Sequence, residues 1–313
     1  MRLIKDKTSF DFLGAKRRKL AVGLSVLVIL VSIAALANRG LAFGIDFTGG
    51  LLMELGYSEP ADLEVIRGDL GAAGFSDAQV QRFGADTDVL VRLPPQGEAE
   101  LAAIRSQLQS ALGVDGSSVV VRRLESVSPQ IGKELTEQGG LAMIFALLMI
   151  FAYVMFRFQW KFAAGAVAAL AHDVIITLGF FAIFQWPFDL TVVAAVLAVI
   201  GYSLNDTVVV FDRVRENFLK LRGTTAEEAM NISVNETLAR TIITGLTTLL
   251  VLSALLVLGG ESIAPFSIAL IVGIIVGTYS SIYTASATAL MLGVSPQDLI
   301  EPIKDPDLID DLP

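Results

Sequence analysis

The chain has 313 residues, of which 54% are hydrophobic and 18% charged; its mean hydropathy is +0.66 and its formal net charge −9. A soluble globular domain carries about a quarter charged residues, so this surplus of apolar residues points to a membrane. With no cysteine and one histidine, His172, disulfides, thiolate nucleophiles and iron–sulfur clusters are excluded and a zinc ligand set is lacking.

Residues 1–19 form a basic tail with Arg2, Lys5, Lys7, Lys16, Arg17, Arg18 and Lys19. The apolar run at 20–37 follows. A helix crosses the hydrocarbon core with about 20 apolar residues, and this run qualifies. Ala35, Leu36 and Ala37 resemble a signal-peptide cleavage site. The run nevertheless exceeds the roughly 7–15 residues of a signal-peptide core, so a retained anchor is expected.

Residues 38–137 then alternate strand and helix patterns. Strands are predicted at Leu51–Tyr57, Ala78–Phe83, Asp88–Leu93 and Val119–Val127, and helices at Pro60–Ala73 and Gly97–Leu112. The order β-α-β-β-α-β predicts a ferredoxin-like α+β domain. That fold serves many roles, and no acid/base pair or nucleophile motif converges in it. A scaffold or docking module is therefore expected rather than an enzyme.

Five more spans are predicted at 138–156, 162–184, 188–211, 240–258 and 264–290, with short turns holding Trp160, Trp186, Pro187, Gly259 and Gly260. An acidic tail, 291–313, closes the chain. The fold class is thus an α-helical polytopic membrane protein with six transmembrane helices and one soluble domain between the first two. With an even number of spans, the N-terminal tail, Arg157 and Lys161, Arg213 to Arg222, and Lys304 all lie on one side, whereas the short loops 185–187 and 259–263 hold no Lys or Arg. The positive-inside rule places both termini in the cytoplasm and the domain outside it.

Ionisable groups inside spans cost about 2.5–3.5 kcal/mol each on insertion scales and are functional candidates by default. Asp173 lies near the middle of the third span. Asp206 lies in the fourth, about 9 Å from its cytoplasmic end at ~1.5 Å per residue. Arg240 opens the fifth span from that same side, which places it within reach of an ion pair with Asp206. A proton-transfer pair and a structural ion pair are both open readings. Asn205 adjoins Asp206, and Thr244 and Thr248 follow Arg240 at helical spacing; such a stripe either hydrates a path or bonds neighbouring helices. His172 adjoins Asp173, but consecutive helical residues point about 100° apart, so it ranks below Asp206. No phosphate-binding loop occurs, because Gly132 and Lys133 precede Glu134 and lack the upstream glycine. An ion gradient is the remaining energy source, at ~2.3 kcal/mol per charge per 100 mV.

Four segments carry a family resemblance. GIDFTGG at 44–50 and GYSLNDTVVVFDRVREN at 201–217 are similar to signatures of the SecD/SecF family of protein-export membrane proteins, the second to its SecF branch; DFLGAKRRK at 11–19 and AHDVIITLG at 171–179 also fit. The resemblance implies half of a twelve-span RND-type transporter in the bacterial inner membrane, with SecD as the other half. It further implies SecYEG, YidC and preproteins as partners, no nucleic acid, no cofactor and no metal, and use of the proton-motive force for export. Asp206 and Arg240 match positions the family links to proton conduction, and Asp173 fits the family pattern. Gly44, Asp46, Gly49 and Gly50 match the glycine-rich signature, which implies a positional role for Asp46 near the membrane surface. Two other readings stay open. One is a small-molecule exporter, disfavoured by the scattered aromatics Phe43, Phe47, Tyr57, Phe75 and Phe83. The other is a structural clamp that moves no protons.

Overall fold

The computed structural model describes residues 9–95, 101–114, 119–221, 223–260 and 262–299. Arg2, Lys5, Lys7, the start of the predicted helix at Gly97 and residues 300–313 of the acidic tail, Lys304 among them, lie outside the described residues.

Helix α1 (Ala15–Arg39) takes in the basic residues Lys16 to Lys19 as its first turn. A short strand β1 (Ala42–Phe43) and a one-turn helix α2 (Ile45–Thr48) lead into the domain. Its elements are β2 (Gly50–Tyr57), α3 (Leu63–Ala72), β3 (Gln79–Phe83), β4 (Ala85–Leu93), α4 (Leu101–Ala111) and β5 (Val119–Val127). The sheet order is β3-β4-β2-β5, all antiparallel, with Met53 opposite both Val91 and Leu124. This is the ferredoxin-like arrangement predicted from the residue pattern. Alternation in β2 sends Leu51, Met53 and Leu55 into a core with Ile66 and Leu70 of α3 and Ile104 and Leu108 of α4. The opposite sheet face, which includes Leu52, Glu54, Arg92 and Arg123, borders a cavity toward the helical bundle. Asp62 caps α3 by accepting the Glu64 N–H, and Gly84, at φ 81°, makes the β3–β4 turn.

The bundle consists of α5 (Pro129–Arg157), α6 (Trp160–Phe184), α7 (Leu190–Lys220), α8 (Ala226–Leu258), and α9 (Ala264–Ile282) with α10 (Thr284–Met291), which continue one another across Tyr283. Strand β6 (Pro187–Phe188) lies between α6 and α7. Counting α9 and α10 as one, six helices among the described residues are long and apolar enough to cross a membrane, matching the six predicted apolar runs. Several outrun their apolar stretch. Helix α8 starts at Ala226 because Thr225 and Glu228 form a capping box, and α5 starts at Pro129 because Ser128 accepts the Ile131 N–H. Half of the apolar window is buried in α6 and in α7, against 6% in α5 and 17% in α1 and α8. The centre of the bundle is therefore α6, α7 and α9, and the other helices turn apolar faces outward, as lipid contact demands. The most extensive helix contact joins α7 and α9. It is close because a Cβ on Gly273 would lie 2.1 Å from a Val199 methyl and one on Gly277 3.0 Å from the Ser203 Cβ.

The domain joins the bundle through the glycine-rich segment. Gly49 has φ 70°, and a Cβ there would sit 2.9 Å from the Pro129 backbone; a Cβ on Gly132 would sit 2.7 Å from the Phe47 carbonyl oxygen. Helix α2 thereby packs backbone to backbone on the start of α5. Gly49→Ala and Gly132→Ala are expected to lower the thermal stability of the full chain in detergent. Gly68→Ala, in the interior of α3 with nothing within 4 Å of its Cβ position, is expected to raise it by about 0.5–1 kcal/mol.

Candidate functional site inside the bundle

Asp173 sits on the inner face of α6 and is fully buried. Its Oδ2 accepts the Ser203 hydroxyl of α7 at 2.5 Å and the Ser280 hydroxyl of α9 at 2.8 Å. Its Oδ1 lies 2.9 Å from His172 Nδ1. One carboxylate thus ties together the three central helices. Gly277 makes room for it, since a side chain there would start 3.5 Å from Oδ2. The histidine contact corrects the expectation from helical angles: the Cβ vectors diverge, but the imidazole is long enough to turn Nδ1 back toward its neighbour.

Asp206 lies one helical turn from Ser203 on the buried stripe of α7, with Ser203, Thr207 and Val210. It is 3% exposed, and its Oδ2 has no hydrogen-bond partner. Arg240 stands exposed on α8 beside the buried stripe of Thr237, Thr241 and Gly245. Among the described residues the two do not form an ion pair within 4.0 Å, which corrects the pairing expected from depth alone. Helical phase buries one and exposes the other, although the Arg240 charge still acts on the Asp206 carboxyl group. Arg240 instead lines a 520 Å³ cavity with Tyr153, Arg157, Asp212, Arg213 and Glu236. Asn205 faces outward, away from Asp206. Thr244 donates to the Arg240 and Thr241 carbonyls of its own helix, and Thr248 donates to the Thr244 carbonyl.

The glycine-rich segment meets the other end of α7. The Asp46 Oδ2 accepts the Leu190 N–H at 2.9 Å, and Asp189 accepts the Val192 N–H. Two carboxylates therefore sit at the positive end of that helix. Gly44 N–H donates to the Phe188 carbonyl, β1 pairs in parallel with β6, and Phe43, Phe47 and Phe188 pack ring to ring. Arg92 of β4 donates to the Phe43 carbonyl. Burial draws its guanidinium below its ordinary range, opposed by the charges of Asp189 and Asp46. Arg123 of β5 reaches Ser262 in the α8–α9 loop at 2.7 Å.

At the opposite end, ion pairs link the segments that precede and follow the spans. Arg18 meets Glu227, Arg157 meets Asp212, Arg213 meets Glu216 and Glu236, and Lys161 meets Asp298. Burial would raise the Asp298 carboxyl, but the hydrogen bonds from Lys161 and Ser295 hold it below the usual range.

A family model for the C-terminal part of the SecD/SecF protein-export membrane proteins matches residues 107–295, and the SecD/SecF GG-motif model matches residues 34–61. The chain belongs to the SecD/SecF family. Among its relatives, the protein translocase subunit SecF of Pseudomonas aeruginosa is 48% identical over 97% of this chain and 98% of that protein. The SecF subunit of Vibrio alginolyticus is 49% identical over 96% of this chain and 95% of that protein. The crystal structure of SecDF from Thermus thermophilus, a translocon-associated membrane protein, matches with a TM-score of 0.84 at 35% identity. A SecDF structure in a super-membrane-facing form matches with a TM-score of 0.66 at 37% identity. Each covers 93% of this chain, which spans 39% of the length of each SecDF chain. In SecD/SecF terms, the GG motif is the junction just described.

Sequence adjacency marks His172 but not its contact with Asp173, and nothing in the sequence marks Ser203 and Ser280 as donors to that carboxylate. Ser203 and Ser280 come from separate spans, and a lone serine carries no spacing signal. Ser203→Ala and Ser280→Ala are each expected to lower stability by about 1–3 kcal/mol, because Asp173 loses a buried donor. Thr247→Ala should stay within about 0.5 kcal/mol, since its exposed hydroxyl bonds only its own helix. Thermal unfolding of the three variants in one detergent checks the contrast. At the other end of α7, Asp46→Ala is expected to cost about 0.5–2 kcal/mol and Asp46→Asn, which keeps an acceptor, less.

Proposed function

We propose that this chain is the SecF-type half of an accessory component of the Sec protein translocase, which with a SecD partner uses the proton-motive force to promote preprotein export across the bacterial inner membrane. The observation that carries the proton role is Asp206: a carboxyl group buried within an apolar bundle, with one oxygen free of any hydrogen bond, in a chain of the protein-export family. The translocase names of the relatives and the translocon-associated SecDF structure support the assignment to export. In this reading SecYEG, YidC and the preprotein are the remaining partners. The basic, ion-paired end of the bundle faces the cytoplasm and the ferredoxin-like domain faces outward, which agrees with the positive-inside count.

The cavity beside Arg240 is then the cytoplasmic mouth of the route. Asp206, Arg240, Asp173, Asn205 and Thr244 are its candidate residues. Asn205, Arg240 and Thr247 lie exposed on span surfaces, where polar groups are costly against lipid; this face is where SecD docks. Protonating Asp206 removes a charge from the α7 surface that packs in the bundle, and α7 shifts against its neighbours. Asp46 holds the far end of α7 to the domain, so the shift reaches the export side. The energies are compatible. One charge crossing 100 mV releases ~2.3 kcal/mol, whereas a capping bond of the Asp46 type is worth about 0.5–2 kcal/mol.

Asp206→Asn is expected to retain co-purification with SecD and to lose about tenfold or more of the potential-dependent stimulation of preprotein export into membrane vesicles. Full stimulation in that variant contradicts the proton role and favours the structural clamp.

A further inference from the structure

His172 is the single histidine of the chain and is buried beside Asp173. Its ring stacks on Tyr279 at a centroid distance of 6.1 Å and an interplanar angle of 22°. Tyr279 is itself held, because its hydroxyl donates to the Ala21 carbonyl of α1 at 2.8 Å. The imidazole is therefore fixed between α6, α9 and α1, with Nδ1 on Asp173 Oδ1 at 2.9 Å. Its Nε2 is buried and has no partner.

The geometry restricts where protons sit. The Nδ1–Oδ1 contact needs one proton between the two atoms, carried by the ring or by the carboxyl. The other carboxylate oxygen is occupied by two hydroxyl donors, Ser203 and Ser280. With the shared proton on Nδ1, Nε2 is a bare acceptor aimed away from the carboxylate. A proton arriving there makes an imidazolium that keeps its Nδ1–H on Asp173, and the charge of the dyad changes from −1 to zero; leaving reverses both changes. No other atom needs to move, because the hydroxyls hold the carboxylate in either state.

We propose that His172 and Asp173 form a proton-accepting station at the centre of the bundle, with Nε2 of His172 as the atom that takes up and releases the proton. The proposal rests on the proton-coupled reading above and adds His172 to it. Ser203 links the two sites: it bonds Asp173, and it lies three residues from Asp206 on the same buried stripe of α7. The titratable side chains that the packed elements carry within their spans are Tyr279 on α9, Tyr283 beyond it, Tyr202 and Asp206 on α7, and Tyr153 on α5. Helix α1 has none between Lys19 and Arg39, and α10 has none. Among the described residues of these spans, Asp173 and Asp206 are the carboxyl groups, and Asp173 is the one in contact with the imidazole.

A single histidine makes the test direct. The full chain in complex with its SecD partner is labelled with ¹⁵N-histidine and reconstituted in lipid nanodiscs, where one imidazole reports the site. The expected result is that Nε2 changes between its deprotonated and protonated signals across pH 5–9, and that Ser280→Ala moves the midpoint while the complex stays assembled. Asp173→Asn should remove the shared proton signal; Ser280→Ala keeps the test informative if that variant fails to fold. One unchanged protonation state across the range overturns the proposal. The NMR readout is independent of export. If Asp206→Asn leaves export stimulation intact while His172 titrates, the role of Asp206 fails and the dyad stands. If Asp206→Asn removes the stimulation while His172 keeps one state, the dyad alone fails.

Discussion

A carboxylate placed among apolar helices has to be surrounded by donors from its own protein, because hydrocarbon supplies none. Asp173 meets this constraint with a histidine from its own helix and one serine from each of two others. The packing of the bundle follows. Helices α6, α7 and α9 approach closely enough for a serine hydroxyl to reach the carboxylate, which requires glycine at 273 and 277 on α9. The outer helices α1, α5 and α8 have no such demand and present apolar residues to the surroundings. Asp206 stands in the same core without equivalent neighbours. That contrast sets a carboxyl group held in one position by its donors apart from one with an oxygen left open.

The second constraint is mechanical. The domain is joined to the bundle by contacts in which backbone meets backbone, so little side-chain slack remains at the junction. Gly49 lies against Pro129, Gly132 against Phe47, and Asp46 on the first turn of α7. The helix that carries Asp206 therefore has the domain fixed to one end and the ion-paired cluster of Arg213 and Glu236 at the other.

The legible features were local ones. Apolar runs gave six spans, and alternation with turn residues gave the ferredoxin-like order, because both patterns depend on neighbours in the chain. Helix ends were less legible. The polar first half of α8 is held by a capping box and by Asn231 and Asn235, which bind the backbone of the segment Phe10 to Leu13; nothing apolar marks it. The partnership of Asp173 with Ser203 and Ser280 joins residues 30 and 107 positions apart, so no spacing announces it. Depth placed Asp206 and Arg240 at one level, but helical phase decides whether side chains meet, and phase depends on which face each helix buries. The glycines of the GG motif were legible through resemblance alone, since their physical reason is a contact between segments distant in sequence.

The central question is whether protons pass through the site at Asp206. Reconstituting the complex with its SecD partner into liposomes that enclose a pH-sensitive dye, and imposing a membrane potential, measures that passage directly. If Asp206 carries the proton, the wild-type complex shows a flux that falls about tenfold or more in Asp206→Asn. Equal flux in the two would contradict this and leave Asp206 with a structural role only.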